Sequence, residues 1–342
     1  MAAAPRRGGH EAAQTQAVPP RDTPFGAATS APGSGAAKGA RGWLSSSASA
    51  AASLLLAPID ALARRRAARA WDSATQLVLV DTLAAVRDAC PELQLVCPRI
   101  KASSVRVDAD GVFRYRSLDG AISGDMRSFA GGPVAHAVTS QLWNARLSVG
   151  SAHINVYLDA AACPAPPHLV VEVSVVRGKL LFYVDLLPRI DLKISDNYLQ
   201  QMYLETPPGC ARSPAELVRA LLNDGTALTP HISRDAVTRV FLASPAAALF
   251  WAPNTPDGLA RVRAAVVEMT AAWVALLHRY GQPMTARSNL ALELPDAAAL
   301  AQRDRVARNA CRRDPDAINV ARLVGTDTMA ALFQIQSGYA DD

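Results

Sequence analysis

The stretch that most constrains the fold is 168–187, HLVVEVSVVRGKLLFYVDLL. Val170 to Val176 and Leu180 to Leu187 are rich in β-branched and aromatic residues, which favour strands. Arg177-Gly178 lies between them, with glycine at the second turn position, where positive φ is needed. A two-residue turn sets Glu172 opposite Tyr183 and Val173 opposite Phe182. Because strand side chains alternate, Glu172, Ser174, Tyr183 and Asp185 then share one face, and Val171, Val173, Val175, Phe182 and Val184 share the other. An acid inside a near-continuous valine run is unusual. Either it belongs to an ordinary solvated face, or it lines a half-covered pocket in which Glu172 handles protons.

The neighbouring segments extend this pattern. Leu142–Leu147 and His153–Asp159 read as strands around Val149-Gly150. In the second, His153, Asn155, Tyr157 and Asp159 share a face opposite Ile154, Val156 and Leu158. Val105–Asp108 and Val112–Arg116 flank Asp110-Gly111, a hairpin signal. Residues 117–141 carry five of their number as Gly or Pro and read as loop-rich, with a strand at 125–129. Consecutive strands with one apolar and one polar face describe an antiparallel meander.

Helical signals lie on both sides. Trp71 opens a helix capped by Asp72 or Ser73 and stopped by Pro91. Ser213-Pro214-Ala215-Glu216 makes a capping box. Residues 256–280 form the longest helix, ended by Gly281 and Pro283. A last helix runs from Pro295-Asp296 to about Cys311. Helices before and after an antiparallel sheet imply an α/β/α sandwich with a central antiparallel β-sheet flanked by helices.

Charge separates a leader from this body. The 342-residue chain has a net charge of +5, and residues 1–66 hold eight Lys/Arg against three Asp/Glu. The rest is balanced, so the body has no nucleic-acid footprint by bulk charge. Residues 1–66 are rich in Ala, Ser, Gly and Pro, too polar and simple to build a core. They read as a disordered leader of transit-peptide type. The apolar patch at Leu54–Leu56 falls far short of the ~20 residues a membrane span needs. The expected folded domain is 67–335, with a tail at 336–342. Five scattered cysteines without CxxC spacing and six histidines without HxxxH pairing exclude a disulfide scaffold or zinc motif. No GxGxxG or Walker loop is present, and flavin, haem and metal signatures are missing too.

Three ordered motifs carry a family resemblance: V-V-E-V at 170–173, D-L-x-P-R-x-D-L at 185–192 and D-x-Y-L-x-x-x-Y at 196–203. With Glu172, Asp185, Arg189, Asp191, Tyr198 and Tyr203 as matching positions, the chain resembles the red chlorophyll catabolite reductase family, within the ferredoxin-dependent bilin reductases. The resemblance spans about Trp71 to Gly325. It implies an α/β/α fold, a plastid stroma setting, a homodimer, reduced ferredoxin as external electron donor, no bound cofactor, and an open-chain tetrapyrrole as substrate. Segment 239–251 resembles the family's apolar wall, with Ala243 at a position that influences stereochemistry and Phe241 beside it. Counting back from Arg322-Leu323-Val324-Gly325, the family's loop aspartate falls at Asp314 or Pro315, with Asp316 one step on; Asp314 is preferred.

The chemistry expected follows from that. A carboxyl packed among apolar side chains has its pKa raised and can serve as a general acid. Glu172 is the first candidate and Asp314 the second, with Ser174, Tyr157, His153, Phe241, Ala243 and Asp316 lining the pigment. Arg106, Arg114 and Arg116 are either a ferredoxin patch or, as we favour, the solvated side of a hairpin. Arg189 and Asp191 are expected to serve structure rather than chemistry, paired with each other or across to a loop. The alternatives are a pigment-sequestering module of the same fold and a reductase of a different bilin.

Overall fold

Strands β6 (His168–Val176) and β7 (Lys179–Leu187) pair antiparallel, with Glu172 opposite Tyr183 and Val173 opposite Phe182. Gly178 turns between them at φ +74°, a conformation that costs glycine little. The computed structural model describes residues 61–97, 100, 107–176, 178–225, 228–232, 244–282, 291–309 and 317–338. All of these belong to one compact unit, Ala40–Asp342.

Around the hairpin the described residues build a nine-stranded antiparallel sheet. Its other strands are β1 (Gln94–Val96), β2 (Phe113–Arg116), β3 (Ile122–Gly131), β4 (Val134–Asn144), β5 (Val149–Leu158), β8 (Thr229–Pro230) and β9 (Ala248–Pro253). The order is β1-β3-β4-β5-β6-β7-β9-β8, and β2 also pairs with β3. β8 is two residues long and contains Pro230, which lacks the amide needed to extend the ladder, so that edge is blunted.

The valine face makes the main core. Val171, Val173, Val175, Phe182 and Val184 are fully buried with Ile154, Val156 and Phe250. Helix α1 (Ala61–Thr75), a π-helical turn at Gln76–Thr82, α2 (Leu83–Ala89) and the 25-residue α5 (Pro256–Tyr280) lie over it. Each buried Val, Leu or Phe here is worth ~1.5–3 kcal/mol. Between β7 and α5 come a short helix α3 (Asp196–Leu199), a second π-helical turn (Gln200–Leu204) and α4 (Pro214–Asn223), whose capping box forms as expected. On the opposite face, α7 (Ala317–Val324) and α8 (Thr326–Ser337) pack Val324, Met329, Ala331 and Ile335 on Phe113, Tyr115, Met126 and Val138. Helix α6 (Ala297–Arg308), capped by Asp296, precedes them. Helices on both faces of an antiparallel sheet are the three layers expected from the sequence.

Several local expectations are corrected. The first helix begins ten residues before Trp71, so Arg64-Arg65-Arg66 lie inside it; its alanine-rich sequence has high helix propensity. Ser73 does not cap but donates back to the Arg69 carbonyl, 3.0 Å. Residues 122–141, read as loop-rich around a strand at 125–129, belong to two long strands, the second of which takes in the start of the strand expected at 142–147. Their glycines serve the turn at Gly131-Gly132 and, at Gly124, a site where a Cβ would lie 2.5 Å from the Tyr115 hydroxyl. Gly150 sits inside β5, not at a turn; a Cβ there would lie 2.7 Å from Trp143 and 2.8 Å from Trp71, whose rings stack at 5.4 Å. The turn is instead at 145–148, with Ser148 at φ +53°. Strand β1 and helices α7 and α8 had no sequence forecast. The hairpin at 107–116 retains a Val107–Phe113 bridge, while Arg106 lies outside the described residues.

Candidate active site on the polar face of the sheet

Strand register places Ser140, His153, Glu172, Tyr183 and Leu249 in one row across β4, β5, β6, β7 and β9. Val138, Asn155, Val170 and Asp185 form the row beside it. Glu172, Ser174, Tyr183 and Asp185 share a face as expected, as do His153, Asn155 and Tyr157, whereas Asp159 lies past the end of β5 and accepts from the Ala161 and Ala162 amides.

Glu172 is 9% exposed, so the solvated-face reading of this strand is excluded. Its surroundings are polar, however, not the apolar packing anticipated. Oε1 accepts from Ser151 Oγ at 2.8 Å and from Ser174 Oγ at 2.9 Å. His153 is its cross-strand neighbour. Burial pushes the His153 imidazole below its ordinary pKa, against the opposing pull of the Glu172 charge. Its Nε2 lies 3.0 Å from Gln336 Oε1 of α8, within hydrogen-bond distance. On β4, His136 Nε2 donates to the Ile335 carbonyl at 2.9 Å, and burial followed by the charge of Arg308 lowers it to about 4. Tyr157 stands between two histidines, stacked on His136 at 6.4 Å and edge-on to His168 at 5.2 Å.

The carboxyl that burial raises most clearly is Asp185, which sequence reasoning left without a role. It is fully buried and pushed up to about 6, although Ser244 and Tyr183 both donate to it. Tyr183 Oη donates to Oδ2 at 2.7 Å, the Ser244 amide to Oδ2 at 3.3 Å, and the Ser244 hydroxyl to Oδ1. Burial, and then Asp185, hold the Tyr183 phenol well above its ordinary pKa. Beside these groups Val170, Tyr183, Leu187, Ala247 and Leu249 form a small apolar cluster. The face thus offers carboxylates, imidazoles and hydroxyls next to an apolar strip, which suits proton transfer to a largely apolar substrate. The signal for Asp185 was present in the sequence as the Tyr-Val-Asp alternation.

Arg189 pairs with Asp304 of α6, not with Asp191. Its Nε donates to Asp304 Oδ1 at 3.1 Å and Nη2 to Oδ2, while Nη1 and Nη2 reach the Cys163 and Leu158 carbonyls. Asp191 instead accepts from the Lys193 amide in its own turn, 3.0 Å. The Leu158 amide donates to His168 Nδ1 at 3.1 Å, so the ring proton is on Nε2 and goes to Asp304, 3.0 Å. Burial would raise Asp304, but His168 and Arg189 outweigh it and hold the carboxyl at about 2. Arg114 is paired with Asp110 at 3.0 Å and with Asp108, matching the solvated-hairpin reading.

Phe241, Ala243, Asp314 and Asp316 lie outside the described residues. Among the described residues there is no cluster of metal-ligating side chains, and no helix is long and apolar enough to cross a membrane. A cleft of about 390 Å³ lies between α4 and α5, on the far side of the sheet from Glu172; its charged residues pair as Arg212–Glu268 and Arg261–Asp224.

The architecture is that of a bilin reductase. The crystal structure of selenomethionine phytochromobilin synthase from tomato in complex with biliverdin matches it with a TM-score of 0.56 at 12% identity, over 77% of this chain and 84% of that one. The chain belongs to the red chlorophyll catabolite reductase family, whose model matches residues 132–335. That span holds Glu172, His153, Tyr157, Ser174 and Asp185, and begins well after Trp71. A search of curated protein sequences finds no match. Family and fold together mark the chain as an oxidoreductase of the bilin-reductase type.

Proposed function

We propose that the protein reduces an open-chain tetrapyrrole with electrons from reduced ferredoxin, and that its substrate is red chlorophyll catabolite, the pigment left when the chlorophyll ring is opened. The product is then the primary fluorescent catabolite. The observation that carries this reading is Glu172, buried on the polar face of the central sheet beside His153, Ser151 and Ser174, in a chain of this family. Family membership supports the substrate. The neighbour solved with biliverdin supports a flat linear tetrapyrrole as ligand.

Reducing one carbon–carbon double bond takes two electrons and two protons. Ferredoxin delivers electrons one at a time, so the pigment holds the odd electron between steps. The protein supplies orientation, exclusion of water and protons. Glu172 gives the first proton and Asp314, or Asp316 in its place, is the proposed second acid. The basic leader at 1–66 supports delivery to the plastid stroma, and the family pattern supports a homodimer.

Anaerobic incubation of the full chain with reduced ferredoxin and candidate bilins tests the proposal. Loss of pigment colour that requires ferredoxin supports it. Tight binding without conversion favours the sequestering module, against which the retained Glu172 argues. Conversion of another bilin in preference to the chlorophyll catabolite overturns the substrate assignment.

A further inference from the structure

Gln336 lies in the last turn of α8, just past the family match, in what the sequence reads as a tail. It is 8% exposed, and its side chain points onto the sheet face that carries Glu172. Two features fix its place. One residue earlier, the Ile335 carbonyl accepts from His136 Nε2 at 2.9 Å. Two residues later, Gly338 closes α8 at φ +68°, its amide donating to the Gln334 carbonyl at 3.1 Å. A Cβ on Gly338 would lie 2.6 Å from the His136 ring, so this helix end is pressed against β4. Gln336 therefore reaches His153 from a held backbone.

We propose that Gln336 is a positioning residue of the site: by accepting the Nε2 proton of His153 it fixes the imidazole as the Nε2–H form and leaves Nδ1 as the ring atom that exchanges protons beside Glu172. The inference rests on the reductase reading for its catalytic meaning and on geometry for the tautomer. A neutral imidazole carries one proton, so a donor bond from Nε2 to a carbonyl oxygen makes Nδ1 the acceptor. Among the described residues, the groups that face His153 are Ser140 on β4, Glu172 on β6 and Gln336 on α8; of these Glu172 is titratable. After Glu172 has given its proton to the pigment, a proton taken up at Nδ1 passes to the carboxylate, and the imidazole returns to its neutral form.

The test reads tautomer and pH dependence together. Nitrogen NMR of the histidine-labelled full chain, above neutral pH, should show His153 as Nε2–H, and Gln336→Leu should shift it toward a mixture or toward Nδ1–H. Gln336→Glu keeps an acceptor and adds a negative charge, so it should retain Nε2–H and move the His153 titration to higher pH. With a bilin substrate, the alkaline limb of kcat, where His153 can no longer take up a proton, should move up with Gln336→Glu and down with Gln336→Leu, with KM changing less than kcat. A Gln336 that only holds the helix would change the melting temperature and leave tautomer and profile alone, which overturns the proposal. Nδ1–H in the wild-type protein overturns it directly. A wild-type protein that shows Nε2–H, loses it in Gln336→Leu, and reduces no bilin supports the tautomer assignment and counts against the reductase reading.

Discussion

Asp304→Asn tests whether the buried ion pair beneath the site holds the layers together. Asp304 is 3% exposed and Arg189 1%, so neither partner is compensated by bulk water. The carboxyl sits at about 2 against an ordinary 3.8, a gap worth roughly 2–3 kcal/mol at ~1.4 kcal/mol per pKa unit. Asparagine keeps the shape and still accepts from His168, but leaves the Arg189 cation buried with carbonyl partners. Breaking a buried pair by removing one charge costs ~3–5 kcal/mol, and the two routes agree on about 3 kcal/mol. For a domain of this size that is a fall of roughly 6–12 °C in Tm, using ~2–4 °C per kcal/mol. Thermal and urea unfolding of the full chain at neutral pH measure it. The pH sign follows from the depressed value. The stability Asp304 contributes is fully present above about 3.8 and is lost as pH falls through about 2, so the gap between wild type and variant should close in strong acid. Replacing both partners with apolar residues, Arg189→Met with Asp304→Leu, should restore much of the loss. A single variant within ~0.5 kcal/mol of wild type, the ordinary range for a neutral surface change, would refute the reasoning.

Other outcomes follow from the same geometry. Asp185 is raised from 3.8 to about 6, so wild-type stability should fall by roughly 3 kcal/mol as pH rises through that window; Asp185→Asn should lack this slope in urea titrations at stepped pH. Glu172→Gln should keep pigment binding, read by absorbance, and lose most turnover; full turnover would remove Glu172 from the mechanism. Ser213→Ala removes the hydroxyl that caps α4 and should cost ~1 kcal/mol, measured by urea midpoint. Gly150→Ala forces a methyl group between Trp71 and Trp143 and against the Leu142 carbonyl, and should cost ~1–3 kcal/mol with a changed near-ultraviolet circular dichroism signal.

Where side-chain alternation and turn chemistry act over a few residues, the chain is legible on its own. The Val-Val-Glu-Val and Phe-Tyr-Val-Asp runs, with glycine at the turn, determine the β6–β7 register and hence that Glu172, Ser174, Tyr183 and Asp185 share a face. The capping box at Ser213 and the long helix at 256–280 are local in the same sense. Reading glycine as loop failed at Gly124 and Gly150, because a packed strand also needs glycine where a neighbouring ring comes close.

What decides the site's chemistry is not local. Gln336 meets His153 across 183 residues, Asp304 meets Arg189 across 115, and Ser244 meets Asp185 across 59. Each of these residues is an ordinary polar side chain in its own segment, and nothing in its neighbours in sequence names the partner. The alternation of a strand determines which side a carboxyl faces. Only the packing of α6, α8 and the turn at Ser244 against that side determines which donors and charges it meets, and burial makes those few partners, rather than water, set its protonation.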